Sequence, residues 1–148
     1  MVQALQDIKV IDIATLFAGP MAATMLADFG AEVIRIESPL GLDPNEGAMG
    51  DRETFDMLNL HRNKRSITLN LKEPEAREIF YKLVAEADVV VENYRPDVKF
   101  RLGIDYDTLA AINPRIVLAS ISGFGEDGPY RKRPGFDQIA QGMGGMMS

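Results

Sequence analysis

The chain has no cysteine, no tryptophan and only one histidine. Without cysteine, no disulfide framework and no thiolate metal site can form. The absence fits a reducing cytoplasm, which is the expected location. No apolar run approaches the ~20 residues that a membrane-crossing helix needs, and residues 1–7 carry no basic segment followed by an apolar one. Neither a membrane span nor a signal peptide is therefore expected. Positive charge is also in short supply. The net charge is −6, which opposes general binding to a phosphate backbone, so no nucleic-acid partner is expected. His61 would have to serve any Ser-His-Asp triad, yet Ser120-Ile121-Ser122-Gly123-Phe124-Gly125 is not a G-x-S-x-G nucleophile elbow. One histidine with scattered carboxylates makes no metal centre. His61 reads as a loop residue, and Asp12 and Asp28, inside regular elements, read as structural.

What is present is an ordinary globular composition, 46% hydrophobic and 26% charged over 148 residues. That is one domain's length, enough to bury roughly 70% of the unfolded surface. Short β-branched runs alternate with helical patterns. Strands are expected at 9–14, 32–36, 66–71, 88–92 and 115–121. The first helix is expected after Gly19-Pro20, with Met21, Met25, Leu26 and Phe29 as its apolar stripe and Gly30 as its cap. The clearest helix opens at Glu73-Pro74-Glu75, with Ala76, Ile79, Phe80, Leu83, Val84 and Ala87 at three- and four-residue steps. Shorter helical pieces fall at 96–102 and 105–112, and a last helix start at 135–141. The segment 37–63, with Pro39, Gly41, Pro44, Gly47 and Gly50, reads as one long irregular loop. Strands that alternate with helices predict an α/β fold, a Rossmann-like doubly wound parallel sheet with right-handed crossovers.

Such sheets bind ligands beyond the carboxyl ends of their strands. The turn Thr15-Leu16-Phe17-Ala18-Gly19-Pro20 lacks G-x-G-x-x-G, and no G-x-x-x-x-G-K-[ST] loop exists, so a nicotinamide or flavin dinucleotide and a P-loop nucleotide are both excluded. Glu37 then reads as a solvated strand end. Basic residues nevertheless recur around strand ends, at 61–66, Lys72, Arg95, Arg101 and 131–133. In an acidic chain this pattern points to a polyanionic small molecule held by charge-assisted hydrogen bonds.

The blocks 5–14, Ala18-Gly19-Pro20, 26–37, Asn63-Lys64-Arg65-Ser66-Ile67, 69–72, 88–96, 113–117 and Ser122-Gly123-Phe124-Gly125 together resemble the amino-terminal part of class III CoA-transferases. That family includes formyl-CoA and carnitine CoA-transferases and α-methylacyl-CoA racemase. The resemblance implies a coenzyme A site. Leu16, Phe17 and Ala18 would line the pocket for adenine and ribose phosphates, and Leu69 and Lys72 would add contacts. Asn93, Tyr94 and Arg101 would hold the diphosphate and pantetheine, with Phe136 and Asp137 near the thioester.

It also implies CoA transfer from an acyl-CoA donor to a carboxylic acid through an aspartyl-CoA intermediate, with acyl-CoA as substrate and no permanently bound cofactor. The catalytic aspartate is expected beyond residue 148, so no catalytic residue is assigned within the chain, and residues 1–148 alone are expected to be inactive. Gly142-Met143-Gly144-Gly145-Met146-Met147-Ser148 closes a domain poorly, so the chain is expected to continue. The resemblance implies that residues 1–148 are one CoA-binding domain of a longer chain that forms an interlocked homodimer. Two positions depart from the family pattern. Ser38 replaces an arginine expected to meet a 3′-phosphate, with Arg35 pointing along the strand. Phe136 stands where the racemase branch has its histidine, which disfavours a 2-methylacyl-CoA epimerase. A truncated, non-catalytic CoA-binding module is the further alternative.

Overall fold

The computed structural model describes residues 2–43, 45–48 and 50–147. Pro44, expected to punctuate the long loop, and Ser148, with the continuation expected beyond it, lie outside the described residues. Five strands, β1 (Lys9–Asp12), β2 (Glu32–Glu37), β3 (Lys64–Thr68), β4 (Val89–Glu92) and β5 (Val117–Ser120), form one sheet in the order β3-β2-β1-β4-β5. Every pairing is parallel. The helices are α1 (Ala18–Asp28), α2 (Phe55–Leu60), α3 (Pro74–Val84), α4 (Pro96–Leu102), α5 (Tyr106–Ile112) and α6 (Asp137–Met143). The expected α/β class and parallel sheet are present.

The central strands are apolar because both their faces are covered. Ile11, Ile13 and Val90 point to one side, where Phe80 and Val84 of α3 and Leu109 of α5 close a core. Val10, Ala14 and Val91 point to the other, against Ala23 and Ala27 of α1. The period-2 alternation of β1 thus divides its side chains between two cores. It also puts Asp12 on the α1 side, fully buried.

The first helix corrects the expected stripe. α1 buries Gly19, Pro20, Ala23, Thr24 and Ala27, whereas Met25 is 54% and Phe29 58% exposed. Small residues face the sheet because the helix lies close on it: a Cβ on Gly19 would sit 2.2 Å from that of Ala14. The long loop is also interrupted, because Phe55–Leu60 forms α2. Six residues give too little periodicity to stand out from the surrounding Gly and Pro. The third strand begins two residues earlier than expected, at Lys64. Its alternation was misplaced because β3 is an edge strand whose first residues are charged.

Beyond β5 the chain closes a loop whose two ends touch. Gly123 and Gly135 pack backbone to backbone, where a Cβ on either would lie 2.3 Å from the other's Cα. Within this loop Phe124 meets Tyr130 edge-on and the Arg133 guanidinium stacks 4.0 Å from the Tyr130 ring centroid. Among the described residues no helix is long and apolar enough to cross a membrane.

Candidate functional site

The strand order reverses between β1 and β4, so the segments leaving these two strands flank the crevice where an open parallel sheet takes its ligand. The first of these, Thr15 to Phe17, is fixed from the second. The Thr15 backbone N–H donates to Asn93 Oδ1 at 2.7 Å, and Asn93 Nδ2 donates to the Thr15 carbonyl at 2.7 Å. One amide side chain thereby satisfies both backbone polar groups of a single residue, as a strand neighbour would. The brace coincides with backbone strain. Leu16 has φ 58°, a left-handed conformation that costs a non-glycine residue roughly 1–2 kcal/mol. We expect Asn93→Ala to release this turn. Hydrogen exchange of the Thr15 amide should accelerate at least tenfold, while the amide of Phe80 in the core keeps its rate. Equal protection in both proteins would show that the brace does not hold the turn.

Beneath the turn lies a buried ionic cluster. Lys64 Nζ donates to Asp12 Oδ2 at 2.8 Å and to the Pro20 carbonyl at 2.7 Å, and Asp12 Oδ1 accepts the Ala14 N–H at 3.0 Å. The Lys64 and Asp12 side chains are 1% and 0% exposed. Burial holds the Lys64 ammonium below the usual lysine range, while Asp12 opposes the shift. Thr24 Oγ1 also donates to the Pro20 carbonyl, at 2.8 Å. A cation from β3 and a carboxylate from β1 thus tie down the first turn of α1. This gives Asp12 the structural role expected of it. Asp28, the other carboxylate expected to be structural, pairs with Arg62 and Asn63.

His61 sits between Arg35, whose Nη1 is 2.7 and 2.5 Å from the two ring nitrogens, and Lys64 Nζ at 3.5 Å. It lies in the turn after α2, as expected of a loop residue, and is half-buried there. Burial first, then the charges of Arg35 and Lys64, lower its pKa from 6.5 to about 3. Because the folded value lies below the unfolded one, falling pH protonates the unfolded chain first. Stability therefore declines as pH falls from 6.5 towards 3, with the slope of at most one proton. His61 is the single histidine, so its ring signal in nuclear magnetic resonance is unambiguous. It should not move between about pH 8 and pH 5, and a midpoint near the unperturbed ~6.5 would contradict this environment.

Two joined clefts open at the carboxyl end of the sheet. The first, about 240 Å³, is lined by Leu16, Arg35, Glu37, Asp51, Arg52 and His61, among others. The second, about 490 Å³, is lined by Leu69, Asn70, Lys72, Arg77, Val98 and Arg101, among others. Thr15, Ile36, Ser38, Asp43, Asn45 and Tyr94 line both. Burial, then the Asp43 and Glu92 carboxylates, push the Tyr94 phenol up to about 12, so at neutral pH it offers an O–H.

Of the residues expected at the site, Leu16, Leu69, Lys72, Tyr94 and Arg101 come together here. Asn93 supports the turn from behind. Phe17 and Ala18 are exposed at the start of α1, and Phe136 and Asp137 are exposed at the start of α6, outside both clefts. The basic clusters divide. Arg62 and Arg65 pair with Asp28 and Glu32, and Arg133 stacks inside its own loop. Glu37 is not a solvated strand end, because Arg35 Nε and Arg52 Nη1 hold its carboxylate at 3.1 and 3.0 Å. Arg35 lines the first cleft, where its position in the strand had suggested otherwise, and Arg52 also reaches the Ser38 carbonyl at 3.2 Å.

Sequence reading missed Arg52 and Arg77. Arg77 was legible in principle. A helix that follows a parallel strand starts at the carboxyl edge, so its first-turn residues border the ligand crevice.

The sequence matches CoA-transferase family III over residues 5–148. It is 45% identical to the succinyl-CoA–L-malate CoA-transferase beta subunit of Chloroflexus aurantiacus, covering 96% of this chain and 36% of that protein. It is 44% identical to a formyl-CoA:oxalate CoA-transferase of Streptomyces avermitilis, covering 100% and 36% respectively. A CAIB/BAIF family protein from Brucella suis superposes with TM-score 0.85 at 41% identity, over 98% of this chain and 40% of that structure. The chain thus spans about a third of the length of the curated relatives it matches. It belongs to CoA-transferase family III.

Proposed function

We propose that residues 1–148 form the coenzyme-A-binding part of a transferase that moves coenzyme A from an acyl-CoA donor to a carboxylic acid acceptor. The observation that carries this reading is the double cleft at the β1/β4 reversal. There a neutral phenol, an apolar wall from Leu16 and Leu69, and cations at Lys72, Arg77 and Arg101 converge. Such a lining suits a ligand with phosphates at one end and a long, weakly polar arm. The relatives' activities, on succinyl-CoA and formyl-CoA, support acyl-CoA as the substrate class.

Each group in this chain then has a binding task. The cations neutralise phosphate charge through charge-assisted hydrogen bonds. The strained turn at Leu16 presents its side chain to the ligand without further ordering. The acyl transfer itself requires a carboxylate nucleophile and donors for the thioester oxyanion. In this reading the carboxylate of an aspartate outside residues 1–148 attacks the donor thioester, and the donor's C–S bond breaks. Coenzyme A ends on the aspartate as a thioester, while the donor's acyl group leaves as its free carboxylate. The same exchange with the acceptor carboxylate forms the acceptor's thioester and regenerates the aspartate. A homodimer working in the cytoplasm is the assembly proposed with it.

The test is mass spectrometry of thioesters after incubation with succinyl-CoA or formyl-CoA and a panel of carboxylic acids. A protein extended to the relatives' length should form the acceptor's thioester, and residues 1–148 alone should not. Transfer by residues 1–148 alone would overturn the proposed division of labour. No transfer by the extended protein with any acceptor would overturn the transferase reading.

A further inference from the structure

The two clefts form one groove of opposite electrostatic character. Glu37, Asp43, Glu46 and Asp51 face Arg35 and Arg52 in the first. In the second, Lys72, Arg77 and Arg101 face only Asp43 among the lining residues. Resting on the coenzyme A reading, we propose that this polarity fixes which way round the ligand lies, phosphates in the second cleft, and that Arg77 is the anchored cation that binds them.

The three cations of the second cleft are not equivalent. Lys72 is exposed on a flexible stem, and Arg101 is exposed and loosely paired with Asp97 at 3.9 Å. Ordering either side chain around an anion costs rotamer entropy. Arg77 has already met much of that cost. Its Nη1 donates to the Leu71 carbonyl at 3.2 Å and the Lys72 carbonyl at 3.0 Å, which fixes the guanidinium against the turn that leaves β3. With Nη1 engaged, Nε and Nη2 still carry N–H groups for a phosphate, in a planar fork. The first cleft offers no such group. Arg35 is bound to Glu37 and His61, and Arg52 is bound to Glu37 and the Ser38 carbonyl. Glu46 and Asp51, which line this cleft and not the second, add negative charge that would repel a phosphate. The uncharged portion of the ligand is therefore the part that reaches into the first cleft.

Titration calorimetry of the whole chain with coenzyme A, and with phosphate-free pantethine, tests this. Arg77→Gln should weaken coenzyme A binding about 10- to 100-fold, the range of a hydrogen bond to a charged group. Arg77→Lys, which keeps the charge and loses the fork, should fall in between. Arg52→Gln should cost less than Arg77→Gln, and Arg115→Gln, before β5 at the opposite end of the sheet, should cost nothing.

Because Arg77 also supports a turn, a second readout is needed. Added salt screens a charge contact but not a packing defect. Arg77→Gln should flatten the salt dependence of coenzyme A affinity and leave any pantethine affinity unchanged. An unchanged salt dependence, or a larger loss from Arg52→Gln than from Arg77→Gln, would overturn the assignment. If the unaltered chain binds coenzyme A not at all, the coenzyme A reading itself fails and takes this assignment with it.

Discussion

Replacing Lys64 by methionine should remove about 3–5 kcal/mol of folding stability, because it leaves the Asp12 carboxylate buried without its counter-charge. The pair is essentially inaccessible, at 1% and 0% exposure, so water cannot take over the role of the ammonium. The Pro20 carbonyl loses a donor at the same time and keeps only Thr24. The loss should be smaller in the double variant Asp12→Asn/Lys64→Met. Asparagine removes the charge but can still accept the Ala14 N–H through Oδ1. Urea denaturation of the three proteins measures this, and the double variant should recover at least half of the single variant's loss. A single-variant loss under about 1 kcal/mol would mean that the pair contributes no more than an exposed one does.

Gly19→Ala has two opposed effects, and their magnitudes decide the sign. Alanine is the better helix former by about 1 kcal/mol, so propensity alone predicts stabilisation. The new methyl group would lie 2.2 Å from the Ala14 Cβ and 3.4 Å from Asn93 Cγ. Carbon atoms pack at about 3.5–4.0 Å. Ala14 is buried and Asn93 is fixed by Thr15, so neither neighbour can withdraw cheaply. Overpacking of this kind costs about 1–3 kcal/mol or more and should win. The first turn of α1 would have to move, taking Leu16 with it. We therefore expect a lower denaturation midpoint together with at least about tenfold weaker coenzyme A binding, given the sensitivity of such sites to ~1 Å displacements. A raised midpoint with full affinity would show that α1 does not lie as close to β1 as described.

The fold was legible where the physics is local. The β-branched run Val89-Val90-Val91 became a strand covered on both faces. The 3.6-residue spacing from Ala76 to Val84 became an amphipathic helix, although Ile79 of its expected stripe is exposed. Legibility failed where a tertiary contact sets the outcome. Nothing local says that α1 turns Ala23 and Ala27 to the sheet and leaves Met25 and Phe29 outside; the close approach at Gly19 decides that.

At the site, Lys72 and Arg101 were readable as basic residues near strand ends, whereas Leu69 and Tyr94 entered only through the family resemblance. Arg52 was not readable, since no local pattern brings it to Glu37. The brace between Asn93 and Thr15 was equally hidden, because its partners lie 78 residues apart. Lys64 looked like one more member of a basic run until burial separated it from Arg62 and Arg65.

The central claim is that this groove binds coenzyme A. Titration calorimetry of residues 1–148 with coenzyme A, paired with 3′-dephospho-coenzyme A, tests it most directly. The account predicts saturable binding at one site, with affinity falling as salt is raised because the cations at Lys72, Arg77 and Arg101 carry it. Absence of saturable heat with either ligand at millimolar concentration would contradict it.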